Sequence, residues 1–326
     1  ETLKTFGGTP FELGEAYGRA FEIEIAWLID WYQNRWWEMS DEEVLAAIPG
    51  FERAIELHAP DLHVEIEGIA HGAGQPVERI LALNARTELR ADVHVLECTS
   101  VGVHAEHSET GGALLAQNWD WWNQLRGRSA CVRFEPDGKA PMISLLEPGM
   151  VGKIGMNASG FGVCLNFLAT PEVNPEGLPV HILCRLLAEC SSVEQAIALL
   201  ESVPRAANAN YLVGDRTGAA ATIEAMVDAV HITYAEDTIT HTNVALCEGD
   251  WCMRQSIFER RLGMFARPLG VDHLQTALRH PGVSAPPSDE PAVESLRSVV
   301  MDLKSGAFAV SEGCRAGLSG YTMHPV

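Results

Sequence analysis

The chain lacks any run of roughly 20 uncharged apolar residues, the length that a membrane-spanning helix needs. It begins Glu1-Thr2-Leu3-Lys4, which is not the pattern of a signal peptide. We therefore expect a cytoplasmic protein, unless a leader has been removed. Positive charge is also scarce, since 23 lysines and arginines stand against 44 acidic residues and the net charge is −21. Nucleic acids and anionic membranes bind basic surfaces, so we expect neither as a partner.

Motifs for cofactors and metals are few. No glycine-rich loop precedes a helix in the manner of a polyphosphate site, and we expect no cofactor. Eight cysteines are scattered among apolar residues of a 326-residue chain, which favours buried, reduced thiols over a disulfide framework. Cys247 and Cys252, with His241 nearby, lack the second ligand pair of a zinc site. A loop or pocket wall is the favoured interpretation of that segment, and no metal site is predicted.

What the sequence does have is a change of hydrophobic period at residue 98. In the first hundred residues, apolar side chains recur every three to four positions, from Leu13 to Trp31 and again near 41–58, 61–74 and 76–90, which predicts helices. From Cys98 onwards the period moves toward two, and glycine or proline separates the runs. This mixture predicts an α+β fold of two packed sheets covered by helices, with no internal repeat and no interdomain linker.

The elements predicted after residue 98 are mostly short. Strands are expected near 98–105, 112–119, 130–135, 141–147, 151–156, 161–167, 209–214, 219–225, 229–234, 238–243, 297–302 and 306–311. Helices are expected near 179–190, 193–202, 253–266 and 271–280.

Four polar residues stand out by their position. Cys98 lies where the period changes, Asp120 ends an apolar strand, and Asn166 and Asn243 each lie at the end of another. Strand ends of packed sheets can converge on a cleft. Taken singly, a strand cysteine is usually a small buried residue, and aspartate or asparagine at such a place usually stabilises a turn. Together, a thiol, an acid and two amides are the parts of an acyl-transfer site, which here needs a base other than histidine.

Seven segments occur in an order and spacing that resembles the acyl-coenzyme A:6-aminopenicillanate (isopenicillin N) acyltransferase family, from about residue 7 to 313. They are Gly8-Thr9-Pro10-Phe11-Glu12-Leu13-Gly14, Glu67-Gly68-Ile69-Ala70, Leu83-Asn84-Ala85-Arg86-Thr87-Glu88, Cys98-Thr99, Gln117-Asn118-Trp119-Asp120, Gly152-Lys153-Ile154-Gly155-Met156-Asn157 and His241-Thr242-Asn243. That family is similar, more remotely, to choloylglycine hydrolases and penicillin V acylases. All are N-terminal-nucleophile hydrolases, so the resemblance implies a four-layer αββα sandwich.

The resemblance also implies an inactive precursor that cuts itself between Glu97 and Cys98. The single domain 1–326 would become an α fragment, 1–97, and a β fragment, 98–326, which stay together as one αβ unit. Cleavage gives Cys98 a free α-amine, for which a pKa of about 7.7–8 is ordinary. One residue then supplies both the nucleophilic thiol and the base, and an acyl group passes through a thioester.

The other roles follow from the same resemblance. The Asn243 side chain is the first donor to the oxyanion, and the Asn166 region, through its backbone N–H, is the second. Asp120 accepts a hydrogen bond from the new α-amine. The chain departs from the family pattern at Glu97, where glycine is frequent, and at Ser311, where an arginine is expected. Arg315 or Arg254 is a candidate replacement for that arginine.

An aromatic wall suggests that part of the substrate is apolar. The candidate substrate-binding residues are Trp119, Trp121, Trp122, Phe167, Tyr211 and Arg254. The leading hypothesis is an autoprocessed amidohydrolase that cleaves a linear, non-peptide amide of a small N-acyl amine or aminoacyl amide. The alternatives are an acyltransferase that passes the acyl group to an amine, and an unprocessed member that binds a small molecule without turnover. The acidic surface favours a cationic amine, and homo-oligomers stay open.

Overall fold

A computed structural model gives the structure of the protein and describes residues 3–90, 98–312 and 320–326. Its helices are α1 (Pro10–Ala20), α2 (Glu22–Arg35), α3 (Asp41–His58), α4 (Pro60–Ala73), α5 (Val77–Asn84), α6 (Val180–Leu187), α7 (Val193–Ser202), α8 (Met253–Leu262) and α9 (Val271–Leu278). Its strands are β1 (Lys4–Gly8), β2 (Thr99–Val103), β3 (Leu114–Trp122), β4 (Ala130–Pro136), β5 (Met142–Leu146), β6 (Ile154–Asn157), β7 (Gly162–Phe167), β8 (Ala209–Gly214), β9 (Ala220–Ala225), β10 (Val230–Tyr234), β11 (Thr238–His241), β12 (Val293–Asp302), β13 (Ala307–Glu312) and β14 (Tyr321–Pro325).

The first helix begins where the sequence predicts. The Glu12 carboxylate accepts the backbone N–H of Thr9 at 3.1 Å and its hydroxyl at 2.7 Å, which ties down the helix start. The apolar stripe that follows spans two helices rather than one, because Phe21 leaves helical geometry with φ −128°. Its ring packs against those of Phe6 and Tyr17, at centroid distances of 6.2 and 5.4 Å. The two helices therefore meet at a buried aromatic residue.

Helices α1 and α4 cross at backbone contact. Glycines spaced four apart on both helices make this possible: Gly14, Gly18, Gly68 and Gly72. A Cβ on Gly14 would lie 2.1 Å from the carbonyl oxygen of Glu65, so any side chain at this position would clash with the backbone of α4. Two of these glycines belong to the family-like segments of the sequence. Close packing of the two helices is therefore the physical reason for glycine at these positions.

The strands form two sheets. The first has eight strands in the order β1-β4-β5-β6-β7-β8-β9-β10, and the second has six in the order β11-β2-β3-β12-β13-β14. Neighbouring strands are antiparallel except for β1 and β4, which run parallel over Lys4–Gly8 and 132–136. The N-terminal segment thus contributes an edge strand to a sheet whose other strands all follow Cys98.

The two sheets pack face to face, with β2 and β3 against β7 and β8. Helices α1, α6 and α7 lie on the outer face of the first sheet, and α8 and α9 lie on the outer face of the second. Phe258 and Leu274 fill the core between the second sheet and its helices, against Val101 and Leu114. The predicted α+β fold with four αββα layers is confirmed.

Most predicted elements occur within a few residues of their expected bounds. Two edge strands, β1 and β14, were not predicted, because Lys4–Gly8 and Tyr321–Pro325 carry only weak strand patterns and owe their conformation to pairing. The helix expected near 76–90 ends at Asn84, and a short 3₁₀ turn, Glu88–Arg90, follows. No helix in the described part of the chain is long and apolar enough to cross a membrane.

Candidate active site

Cys98 lies immediately before β2, at the wall of a pocket whose empty space, including the open solvent at its mouth, is about 510 Å³. The pocket is formed by the ends of both sheets and by the segment that follows α5. It is lined by Trp36, Arg86, Thr87, Arg90, Cys98, Trp119, Asp120, Trp121, Lys153, Leu165, Phe167, His181 and Asn243. Three of the four residues singled out from the sequence as catalytic candidates therefore meet at one place.

The Cys98 thiol is held in a protonated state. Burial raises its pKa to about 11, and the negative charge of Asp120 acts in the same direction. The backbone N–H of Asp120 and the side chain of Gln117 donate to the sulfur, and Lys153 lies close enough to favour the thiolate, but burial dominates. A thiol with such a pKa needs a nearby base before it can act as a nucleophile.

Asn243 connects the nucleophile to the neighbouring sheet. Its Oδ1 accepts the backbone N–H of Cys98 at 2.5 Å, and its Nδ2 donates to the carbonyl oxygen of Phe167 at 2.8 Å. The donor at one side and the acceptor at the other fix the orientation of the side-chain amide. The Cys98 backbone nitrogen, which becomes the α-amine if the preceding bond is cut, is therefore already directed at a hydrogen-bond acceptor.

The loop that carries Asn243 is stabilised from behind. His241 Nε2 lies 3.0 Å from Glu224 Oε1. The two oxygens of Glu224 also accept the backbone N–H groups of Leu246 at 2.6 Å and Cys247 at 2.8 Å. A buried carboxylate thus holds both ends of the turn. His241 is a positioning residue. It and the backbone of Cys247 contact the same carboxylate, Glu224, from the two ends of the turn.

Asp120 is fully buried at the end of β3. Its Oδ2 accepts Arg254 Nη1 at 2.7 Å, and its Oδ1 accepts the hydroxyl of Ser295. Ser295 in turn accepts the backbone N–H of Ala285 at 3.0 Å. The pairing of β3 with β12 shifts register between Ser295 and Arg297, and this bulge directs the hydroxyl toward Asp120. Of the two arginines proposed to replace the missing one, Arg254 reaches the site, whereas Arg315 lies outside the described residues.

Asn166 lies between the sheets rather than in the pocket lining. Its Oδ1 accepts the hydroxyl of Ser100 at 2.6 Å and the side-chain amide of Asn210 at 3.2 Å. Its neighbour Leu165 does line the pocket, and both backbone groups of Leu165 bind the side chain of Gln117, at 3.0 Å for the N–H and 2.5 Å for the carbonyl. Since β6 pairs with β7 only as far as 163, Gln117 takes the place of a neighbouring strand.

The aromatic candidates divide into two groups. Trp119, Trp121 and Phe167 line the pocket. Trp122 lies outside this lining and packs on Trp36 with ring centroids 6.2 Å apart. Tyr211 also lies outside it, since it pairs with Leu165 across β7 and β8 and is fully buried there. Glu97, the other residue of the expected cleavage bond, lies outside the described residues.

Three buried charged residues were missed by sequence reasoning. Arg86 and Lys153 line the pocket, and both pair with Glu147 Oε2, at 2.9 and 3.6 Å. Burial, reinforced by the charge of Arg86, lowers the pKa of Lys153 to about 8. The Lys153 ammonium also lies 4.1 Å from the centre of the Trp119 ring. The signal was present, because Arg86 and Lys153 both belong to family-like segments, but nothing in the sequence brings them together.

The described residues contain two groups of side chains that could hold a metal ion, Glu52 with Glu56 and His63, and Glu109 with Asp272 and His273. Both lie away from the pocket and each has exposed members.

Residues 107–259 match the family model described as acyl-coenzyme A:6-aminopenicillanic acid acyl-transferase. The acyl-coenzyme A:6-aminopenicillanic-acid-acyltransferase 40 kDa form of Emericella nidulans is 30% identical over 217 residues, which are 65% of this chain and 60% of that protein. The chain thus matches only about three fifths of the length of this relative.

Among solved structures, the Caenorhabditis elegans N-acylethanolamine-hydrolyzing acid amidase ortholog is similar, with a TM-score of 0.51 and 15% identity over 64% of this chain and 93% of that one. At this identity the likeness shows the fold alone. Over residues 107–259, and in its identity to the Emericella protein, the chain is thus similar to the acyl-coenzyme A:6-aminopenicillanic acid acyl-transferase family.

Proposed function

We propose that the protein is an autoprocessed cysteine amidohydrolase that cleaves a linear, non-peptide amide of a small N-acyl amine or aminoacyl amide. The observation that carries this proposal is the position of Cys98. It lies immediately before β2, its backbone N–H is hydrogen-bonded to Asn243, and its thiol shares a pocket with Asp120. If chain cleavage turns this nitrogen into an α-amine, the amine can act as the base for the thiol only if it lies in the same site.

Processing would start with attack of the Cys98 sulfur on the carbonyl carbon of Glu97. The C–N bond then breaks, the nitrogen of Cys98 takes up a proton, and a thioester joins Glu97 to the sulfur. Water hydrolyses this thioester, which frees the thiol and leaves a carboxylate on Glu97. The products are the fragments 1–97 and 98–326, held together by the pairing of β1 with β4.

Turnover repeats this chemistry on a substrate. The α-amine of Cys98 takes the thiol proton, which is necessary because burial raises the pKa of the thiol to about 11. The sulfur attacks the amide carbonyl, the amine leaves with a proton from the α-amine, and water hydrolyses the thioester. Asn243 Nδ2, which donates to the carbonyl oxygen of Phe167, is the first proposed oxyanion donor. The backbone of the Asn166 region is the second, and Asp120, held by Arg254, orients the amine.

The second candidate function is acyl transfer, in which an amine rather than water resolves the thioester. The observation that favours it is the likeness to the Emericella acyltransferase. A labelled amide offered with and without excess acceptor amine separates the two. Free acid as the main product in both cases supports hydrolysis, whereas a dominant transfer product would replace the leading proposal.

Intact mass and N-terminal sequencing test processing. We expect two fragments, one of which begins at Cys98, and a Cys98→Ala variant that stays a single 35.4 kDa chain and is inactive. Cys247→Ala, which removes an exposed thiol, is the matched control and should be cut and active. A wild-type protein that stays uncut yet binds small amides without turnover would favour the unprocessed binding protein, and full activity of Cys98→Ala would refute the mechanism.

A further inference from the structure

The charge of the pocket is opposite to that of the protein. The net charge of the chain is −21, but the pocket that contains Cys98 is lined by three cations, Arg86, Arg90 and Lys153. Among the described residues its one lining acid, Asp120, is paired with Arg254. Arg90 has a partner of its own, since its Nη2 lies 2.8 Å from Glu38 Oε1. Arg86 and Lys153 are deeper, with 3% and 5% of their surface exposed. The acidic surface therefore says little about the charge that the site itself prefers.

Arg86 and Lys153 share a single carboxylate oxygen. Glu147 Oε2 lies 2.9 Å from Arg86 Nη2 and 3.6 Å from Lys153 Nζ, and Glu147 Oε1 accepts the hydroxyl of Tyr32. Two cations beside one anion leave one positive charge in excess. The next carboxyl, Glu88, accepts the backbone N–H of Val180 at 2.7 Å, and burial raises its pKa to about 7, so it is only partly charged at neutral pH. A buried charge without compensation is unfavourable and attracts an anion.

Both cations also have unused hydrogen-bonding capacity. Among the described residues, Arg86 Nε is buried without an acceptor. The Lys153 ammonium has three donors, and among the described residues its nearest anionic oxygen is 3.6 Å away, while its Nζ lies 4.1 Å from the centre of the Trp119 ring. Groups of this kind are normally satisfied in buried sites. A ligand with acceptor oxygens would satisfy them.

We propose that the pocket selects substrates that carry a carboxylate, which binds against Lys153 Nζ and the Arg86 guanidinium while the tryptophan rings hold the apolar part. That the bound molecule is a substrate rests on the proposed amide cleavage, whereas binding of its carboxylate does not. The carboxylate belongs either to the amine half, as in an N-acyl amino acid, or to the acyl half, as in a monoamide of a dicarboxylic acid. Both present the same oxygens to the two cations.

Alkylation of Cys98 tests the selection without any turnover. The thiolate displaces iodide from iodoacetate, which is anionic, or from iodoacetamide, which is neutral, and a sulfur–carbon bond forms in each case. Since both reagents meet the same thiol, the ratio of the two rates does not depend on the pKa of that thiol. Cys247 is the control within the same molecule, because it is exposed and lies beside Glu224.

We expect the iodoacetate-to-iodoacetamide ratio at Cys98 to exceed that at Cys247 by about tenfold or more, as a nearby cation in a buried site should produce. Lys153→Met should lower the Cys98 ratio toward that of Cys247, and Lys153→Arg should preserve it. Peptide mass spectrometry reads both sites at once. An equal or lower ratio at Cys98 in the wild-type protein overturns the proposal, whatever the variants do.

Protection experiments separate the two sources of the carboxylate. N-phenylacetylglycine is compared with N-phenylacetylglycinamide, and glutaric acid monobenzylamide with its methyl ester, as competitors of iodoacetamide at Cys98. Protection by the acid but not its neutral partner in the first pair assigns the carboxylate to the amine half, and in the second pair to the acyl half. Equal effects of acid and neutral compound in both pairs contradict the inference. Because protection needs no chain cleavage, an uncut protein would refute the proposed function and leave this result standing.

Discussion

The side-chain oxygen of Asn243 accepts the backbone N–H of Cys98, and the side-chain nitrogen of Asn243 donates to the carbonyl of Phe167. One amide thus holds the nucleophile from its nitrogen side and joins it to the end of β7. The same amide is the proposed oxyanion donor, so under that proposal it would both orient the Cys98 nitrogen and stabilise charge on the substrate.

Replacement of Asn243 separates these functions. Asn243→Asp keeps an acceptor for Cys98 but loses the N–H donors, so kcat/KM should fall by a factor of about 10²–10³, the usual effect of removing one oxyanion donor. Asn243→Ala loses both and should also process more slowly. Steady-state kinetics and the fraction of cleaved chain report the two effects separately. Unchanged kcat/KM in fully processed Asn243→Asp would assign the oxyanion donor to another group.

The pair of Arg254 and Asp120 predicts a coupled effect on stability. Arg254→Met leaves the buried carboxylate of Asp120 without its cation, and the free energy of unfolding should fall by about 2 kcal/mol or more. In the double variant with Asp120→Asn, the loss should be clearly smaller than the sum of the two single losses. Urea unfolding of all four proteins gives this coupling energy, and additive losses would show that the pair does not interact.

Close packing of α1 on α4 predicts that Gly14 cannot be replaced. A Cβ there would lie 2.1 Å from the Glu65 carbonyl, so Gly14→Ala should destabilise the protein by about 2 kcal/mol or more. Gly263→Ala is the control, because the nearest atom to a Cβ at that position is 3.4 Å away and the backbone is in the right-handed helical region. Thermal unfolding measures both, and equal midpoints would contradict the packing argument.

Glu88 predicts a pH dependence of stability. Burial raises the pKa of its carboxyl from an ordinary 4.5 to about 7 in the folded protein. The folded state therefore binds more protons than the unfolded state between these values, and stability is lost as the pH rises from 4.5 through 7. A difference of this size corresponds to about 3 kcal/mol.

Glu88→Gln removes this titration while it keeps an oxygen for the Val180 N–H. Its free energy of unfolding, followed by urea titration, should change less than that of the wild-type protein from pH 4.5 to 7. Parallel pH profiles for the two proteins would exclude Glu88 as the source.

The sequence was sufficient to predict the layers of sheets and helices and to single out the catalytic candidates. The change of period at Cys98 is a local property, and Asp120 and Asn243 belong to collinear family-like segments. Their convergence on one pocket is what the structure adds, and their chemical roles stay predictions. The α1–α2 break at Phe21 was missed because the apolar period continues through it.

The charged residues of the pocket were beyond sequence reasoning for a different reason. Arg86 follows α5, Lys153 precedes β6, and Glu147 follows β5, so only tertiary packing brings their charges together. The alternation of side chains along β7, by contrast, could have been used at the sequence level. With Phe167 in the pocket wall, the side chain of Asn166 must point to the opposite face, where it binds Ser100. A contribution of Asn166 to the oxyanion hole is therefore limited to its backbone.

The side chain of Gln117, which binds the backbone of Leu165 where a neighbouring strand would, joins two parts of the site that are separate in the chain, Leu165 and Cys98. One side chain holds the backbone of Leu165, at the pocket floor, and donates to the sulfur of Cys98. A ligand that pushes on the floor would act on the same amide that contacts the sulfur. Gln117 thus contacts both the nucleophile and the wall of the cavity, and a bound molecule that displaces Leu165 would disturb both contacts at once.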